Sequence, residues 1–256
     1  MNEVAQVAVN ASYKLDLVFL SYVIAVTGAF VALYVLQDIR RGSGRIRWLN
    51  AWAAGAALGG VGVWSMHFMG MLALDLDMGS GYALIETLVS LVAAVVATTM
   101  ALAYVAKNPD SNARIAVAGV LLGLGVGVMH YLGMYGMRYP GFIIWSIPTI
   151  ALSVLIAIAA GTAALWMGFR LKTFQWHCVA ALVMGAAVCT MHYVGMSAAD
   201  FVCTAPIEQR FATPKGLWII SAMELPMMTG AVALLLTAYI AYEQMIRRSL
   251  EQPLRA

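Results

Sequence analysis

Met66-His67-Phe68-Met69-Gly70-Met71 returns as Met129-His130-Tyr131-Leu132-Gly133-Met134 and again as Met191-His192-Tyr193-Val194-Gly195-Met196. From His67 to His130 is 63 residues and from His130 to His192 is 62, so the spacing marks an internal repeat. Only one of the 4 histidines, His177, lies outside these copies. Each copy closes an apolar run, and a histidine is costly in hydrocarbon. Three of them placed alike imply a common task.

The similarity extends upstream of the motif. Seven residues before each histidine stand Gly60, Gly123 and Gly185; five before stand Gly62, Gly125 and Ala187; four before stand Val63, Val126 and Val188. Small residues at matching positions let helices approach closely in lipid. Composition agrees with a bilayer setting. Hydrophobic residues make up 62% and charged residues 11% of the 256, with mean hydropathy +0.84, whereas a soluble domain carries about a quarter charged residues.

Apolar runs predict helices over 15–37, 48–73, 83–106, 115–137, 148–169, 176–198 and 218–242, each near or above the ~20 residues that cross a bilayer. The expected fold is an all-α membrane protein with seven transmembrane helices: three two-helix repeats plus a seventh helix. Its domains are a short extracytoplasmic segment (1–14), the membrane domain (15–242) and a short basic tail (243–256). The first apolar run lacks the pattern of a cleaved signal peptide and is read as a retained helix.

Most basic residues fall on one side: Arg40, Arg41, Arg45 and Arg47, then Lys107 and Arg114, then Arg170 and Lys172, then Arg247, Arg248 and Arg255. Lys14, Arg138, Arg210 and Lys215 fall on the other. The positive-inside bias puts the N-terminus outside and the C-terminus in the cytoplasm. The net charge of +3 reflects this topology and calls for no nucleic-acid partner; there is no phosphate-cradling glycine loop. Three cysteines, Cys178, Cys189 and Cys203, make no disulfide framework. Cys189, one turn before His192, is either a soft ligand or a packed core residue.

With this topology the motif helices run the same way, and each histidine lies roughly 22–28 Å along its helix, in the outer third of the membrane. An axis along the membrane normal would gather the three at one level. His67, His130 and His192 are the candidate metal ligands. Met71, Met134 and Met196, four residues on, share the face of their histidines and are candidate ligands or core fillers. Met66, Met129 and Met191 flank that face. Imidazole suits copper, zinc and iron, while thioether sulfur selects Cu(I), so copper is the preferred metal. Asp75 and Asp200, eight residues after a motif histidine, and Glu86 and Glu224, at the expected starts of spans three and seven, are candidates for orienting an imidazole or for loop and capping contacts. Pro226 is expected to loosen span seven locally. His177, beside Trp176, reads as an interfacial surface residue.

The threefold Met-His-Tyr pattern resembles the MHYT domain, a bacterial integral-membrane sensory module, over nearly all of residues 10–245; only Phe68 departs from its motif. The resemblance implies copper bound through Met and His residues, sensing of a diatomic gas (oxygen, carbon monoxide or nitric oxide), and location in the bacterial inner membrane. It also implies signalling to a cytoplasmic output domain or a separate partner, with no catalysis in this segment. Two other classes stay open: a copper- or haem-dependent oxidoreductase, and a copper transport or delivery protein, which would want ligands staged along a pore. A retinal receptor is disfavoured, since span seven has no lysine for a Schiff base.

Overall fold

The computed structural model describes residues 7–9, 11–39, 45–206, 209–222 and 224–251. Seven long helices dominate: α1 (Leu15–Leu36), α2 (Trp48–Ala73), α3 (Leu84–Ala106), α4 (Asn112–Tyr135), α5 (Ile147–Arg170), α6 (Phe174–Met196) and α7 (Leu225–Glu251). The first six are long and apolar enough to cross a membrane; the apolar stretch of α7, Met227–Ile240, is shorter. The protein is a multi-pass membrane protein. In lipid the backbone must satisfy its own hydrogen bonds, which is why these apolar runs close into helices. Local signals set their ends: Ser111 accepts from the Arg114 N–H at the start of α4, Thr173 accepts from the Trp176 N–H at the start of α6, and Pro148 occupies the first turn of α5.

The repeats are visible as three helix pairs, α1–α2, α3–α4 and α5–α6. Each pair packs internally, and α2 packs on α3, α4 on α5, and α6 back on α1, which closes a six-helix ring. Helix α7 lies outside the ring against α2.

The segments at the motif end form short strands, an addition to the all-helical expectation. They are β1 (Val7–Ala8), β2 (Ser12–Tyr13), β3 (Leu74–Asp75), β4 (Gly81–Ala83), β5 (Met137–Arg138), β6 (Gly141–Trp145), β7 (Ala199–Cys203) and β8 (Ile219–Ser221). The strand before each repeat pairs antiparallel with the strand after it: β2 with β3, β4 with β5, β6 with β7. Each helix hairpin is thus tied shut just beyond its histidine. Strands β1 and β8 add to β7 and β4.

Two expectations change here. Trp218 to Ser221 were read as the start of span seven, but β8 pairs with β4 and the helix begins at Leu225. Pro226 falls in the first turn of α7, where a missing N–H costs nothing, so it loosens no helix interior. His177 is buried (3% exposed), not interfacial: its Nδ1 meets Gln37 Nε2 at 3.0 Å and its Nε2 meets the Leu171 carbonyl at 2.9 Å. Arg40, Arg41 and Arg255 lie outside the described residues.

The second helix departs from α geometry. Residues Ala56–Ser65 form a π-helix within α2. Wider winding there brings Gly62 backbone against Gly28 of α1 and Gly59 against the Ala94 backbone of α3. Trp64, fully buried, donates its indole N–H to the Thr87 carbonyl and Ser90 Oγ, at 3.1 and 3.0 Å.

Candidate metal centre

Because α2, α4 and α6 are equivalent members of the ring, their histidines meet at its centre. His67, His130 and His192 are 0–1% exposed. The Nδ1 atoms of His67 and His192 lie 3.1 Å apart and those of His130 and His67 3.2 Å apart. One ligand nitrogen from each ring falls within 4.8 Å of the others, and no carboxylate or cysteine joins them among the described residues. The rings stand edge-on to one another at 76–88°.

A neutral imidazole has one proton for two nitrogens. If it sits on Nε2 in all three rings, three Nδ1 lone pairs face one another. If one ring carries it on Nδ1, the other two lone pairs must share that single proton. A cation at the centre resolves the conflict. Metal–nitrogen bonds of ~2.0–2.1 Å at tetrahedral or trigonal angles separate the donors by ~3.3–3.6 Å, close to the spacing present. The residues therefore fit a single metal ion.

A second ring of groups braces the first. Phe68, Tyr131 and Tyr193 each stand edge-on to the preceding histidine, with centroids 4.7–4.8 Å apart. Tyr131 meets Ser153 Oγ at 2.6 Å and Tyr193 meets Ser21 Oγ at 3.0 Å. These serines give their own protons to the Ile150 and Val18 carbonyls, so the tyrosines donate. Phe68 has no hydroxyl, and at the corresponding place Ser90 accepts from Trp64 instead. Each contact reaches the first helix of the next repeat. Ser21, Ser90 and Ser153, all fully buried, were not expected to matter; their spacing near the repeat length was the signal.

The methionines are buried with the site. Met71, Met134 and Met196 share one apolar cluster with Met129, Trp64, Phe68 and Tyr82. Met66, Met129 and Met191 are 1–2% exposed. Met191 also lines a cavity of about 30 Å³ with Val63, Val126 and Val188, the valines one helical turn before each histidine.

The carboxylates go elsewhere. Glu86 accepts from Arg138 at 2.6 Å. Asp75 pairs with Lys14 at 3.2 Å and accepts from the Asp77 N–H; that N–H, then Lys14, hold its carboxyl below the usual range. Asp200 is exposed on β7. Glu224 is exposed and precedes α7, bonded to Ser221, whose backbone and side chain lower its carboxyl; it is no intramembrane acid. None orients an imidazole. Glu86→Gln should therefore leave metal content unchanged and cost under ~1 kcal/mol of stability, since the pair is part-exposed; metal analysis and thermal unfolding check this.

Comparison with known proteins places this geometry. The family model MHYT, described as a bacterial signalling protein N-terminal repeat, matches residues 5–49, 60–118 and 123–181, more than half of the chain. The bifunctional diguanylate cyclase/cyclic di-GMP phosphodiesterase MucR of Pseudomonas aeruginosa is 39% identical over 198 residues, covering 75% of this chain and 28% of that protein. Signaling protein YkoW of Bacillus subtilis is 31% identical over 201 residues (75% and 25%), and cyclic di-GMP phosphodiesterase NbdA of Pseudomonas aeruginosa 30% over 198 (74% and 25%). The chain spans about a quarter of the length of these relatives. No solved structure matches it.

Proposed function

The chain belongs to the MHYT family of bacterial signalling proteins, and on that premise we propose that it is a copper-binding membrane sensor of a diatomic gas or of redox state. The observation that carries the reading is the triangle of buried Nδ1 atoms, whose facing lone pairs a single cation would satisfy. Copper among the candidate metals also accepts the soft sulfurs gathered at the same end of the bundle. Copper bound there would supply a redox-active centre able to take up oxygen, carbon monoxide or nitric oxide. The protein's part is to aim three nitrogens, exclude water and provide an apolar approach. The cavity beneath the histidines, lined mainly by aliphatic side chains, suits an uncharged diatomic molecule arriving from lipid.

A haem reading is disfavoured by the same triangle. Imidazole nitrogens 3.1–3.2 Å apart leave no slot for a porphyrin between them. Histidines grouped at one level also differ from ligands staged along a transport path.

The route outward runs through α2. Its π-helical segment leads into His67, and Gly60 within it faces Leu236 of α7. A change at the histidines that shifts α2 would press on α7, whose far end points to whatever output follows. In this reading the histidine end faces outward, the basic end is cytoplasmic, and the membrane is the bacterial inner membrane. The output is a cyclic di-GMP enzyme domain, as the names of the relatives suggest, or a separate partner.

The test is elemental analysis with optical spectra of detergent-purified protein. Copper at a fixed ratio without a Soret band supports the reading; a Soret band or no copper rejects it. The methionines are tested separately. Replacing Met71, Met134 and Met196 together by Leu conserves volume, so packing should cost under ~1.5 kcal/mol per site. If the sulfurs are donors, Cu(I) affinity should fall more than Cu(II) affinity. Unchanged Cu(I) affinity would assign them to packing.

A further inference from the structure

Several helix glycines in this protein serve close backbone contact. A methyl on Gly28 would strike the Gly62 backbone, one on Gly59 the Ala94 backbone, and one on Gly123 the Ile158 backbone. The motif glycines differ. The nearest atoms a methyl would meet belong to the His192 ring at Gly70, the His67 ring at Gly133 and the His130 ring at Gly195. In every case the nearest atom is Nε2 and the next is Cδ2. Each imidazole is thus seated against the glycine of another repeat, not that of its own helix. The pairings run in one cyclic sense: first repeat onto second, second onto third, third onto first.

A glycine inside a helix costs about 1 kcal/mol relative to alanine. Three at equivalent interior positions, each with an imidazole edge as its nearest neighbour, need a reason. The rings supply one. The Nε2 atoms seated there are buried and have no hydrogen-bond partner, whereas the Nδ1 atoms converge on the centre. The seat takes the Nε2–Cδ2 edge and so turns Nδ1 inward.

We infer that Gly70, Gly133 and Gly195 are positioning residues that hold all three histidines with Nδ1 toward the common centre, making it an Nδ1-only site. The identity of what fills the centre rests on the copper reading above; the glycine–imidazole pairing does not. A methyl in any seat pushes one ring toward the axis and closes the triangle.

Two measurements decide it. Gly133→Ala should lower the melting temperature by at least ~4 °C and copper affinity roughly tenfold or more. Gly127→Ala on the same helix, whose methyl meets only Val154 at 3.4 Å, should do neither. If Gly133→Ala folds poorly, pairing is read by rescue: adding His67→Ala should restore folding, and adding His130→Ala should not. No loss in Gly133→Ala, or equal rescue by both histidine variants, would overturn the inference. On protein labelled with ¹⁵N-histidine and loaded with Cu(I), long-range proton–nitrogen correlations should show the metal-bound nitrogen as Nδ1 in all three rings; Nε2 in any ring would overturn it. Wild-type protein that takes up no copper would reject the metal reading, and the rescue experiment would still decide the seats.

Discussion

His130→Ala is expected to lower copper affinity by a hundredfold or more, and His67→Ala and His192→Ala by a similar factor. Loss of a group that merely orients a ligand costs 10–100-fold, and each of these side chains supplies one of the three nitrogens that converge among the described residues. The equivalence follows from the ring: no histidine is peripheral, and the paired distances are 3.1 and 3.2 Å. Folding should survive, because the close backbone crossings of the helices are made at other residues, such as Gly28, Gly59 and Gly123. His177→Ala is the contrast. Its ring ties α6 to Gln37 and the Leu171 carbonyl away from the motif, so it should cost about 1–3 kcal/mol of stability with copper content unchanged. Equilibrium competition with a copper chelator on the purified variants gives the comparison. Unaltered copper in all three motif variants would dismiss a shared site.

The repeat made the centre legible before any coordinates. Equal spacing of His67, His130 and His192 on helices running the same way implies an axis, and an axis brings them together. The helix spans were readable for the same reason, since apolar runs of this length have few alternatives in lipid. What escaped were features that depend on partners from other repeats. Gly70 stands in the motif of His67, but its neighbour is His192, one repeat away in space and two in sequence. Glu86 read as an intramembrane acid because Arg138, fifty-two residues on, is invisible as its partner from local pattern. Trp218 to Ser221 are as apolar as a helix start, yet β4 offers them a strand partner.

The π-helix is the deepest omission. Fixed spacing holds back to the glycines seven residues before each histidine, so Gly60, Gly123 and Gly185 gave no sign of altered winding. Just before those glycines the match slips. Leu58, nine residues before His67, lines the cavity with Leu122 and Met184, which are eight before theirs. The extra residue is absorbed by wider winding over Ala56–Ser65, a form often found at functional sites. It occurs in the repeat whose second helix packs against α7 and whose motif carries Phe68. The threefold symmetry is thus broken on the side where a signal would leave.

Gly28→Ala and Gly230→Ala add the same methyl to two helices and should act in opposite directions. At Gly28 the methyl would meet Gly62 N and Cα and the Ala57 carbonyl. These are backbone atoms of the π-helical segment, which cannot rotate aside as a side chain can. Helices α1 and α2 must separate along their crossing, and overpacking that forces backbone shifts costs 1–3 kcal/mol or more; a loss of at least ~3 kcal/mol is expected here. At Gly230 on α7 the methyl meets nothing within 4 Å, so only helix propensity changes and stability should hold or rise by up to ~1 kcal/mol. Thermal unfolding in one detergent compares the two. The metal adds a second readout, because Gly62 lies five residues before His67 and α1 also carries Ser21, the partner of Tyr193. Displacing α1 should therefore loosen two corners of the triangle at once and lower copper affinity in the protein that still folds. A Gly28→Ala variant as stable as wild type would mean that the close crossing of α1 and α2 does not fix the site.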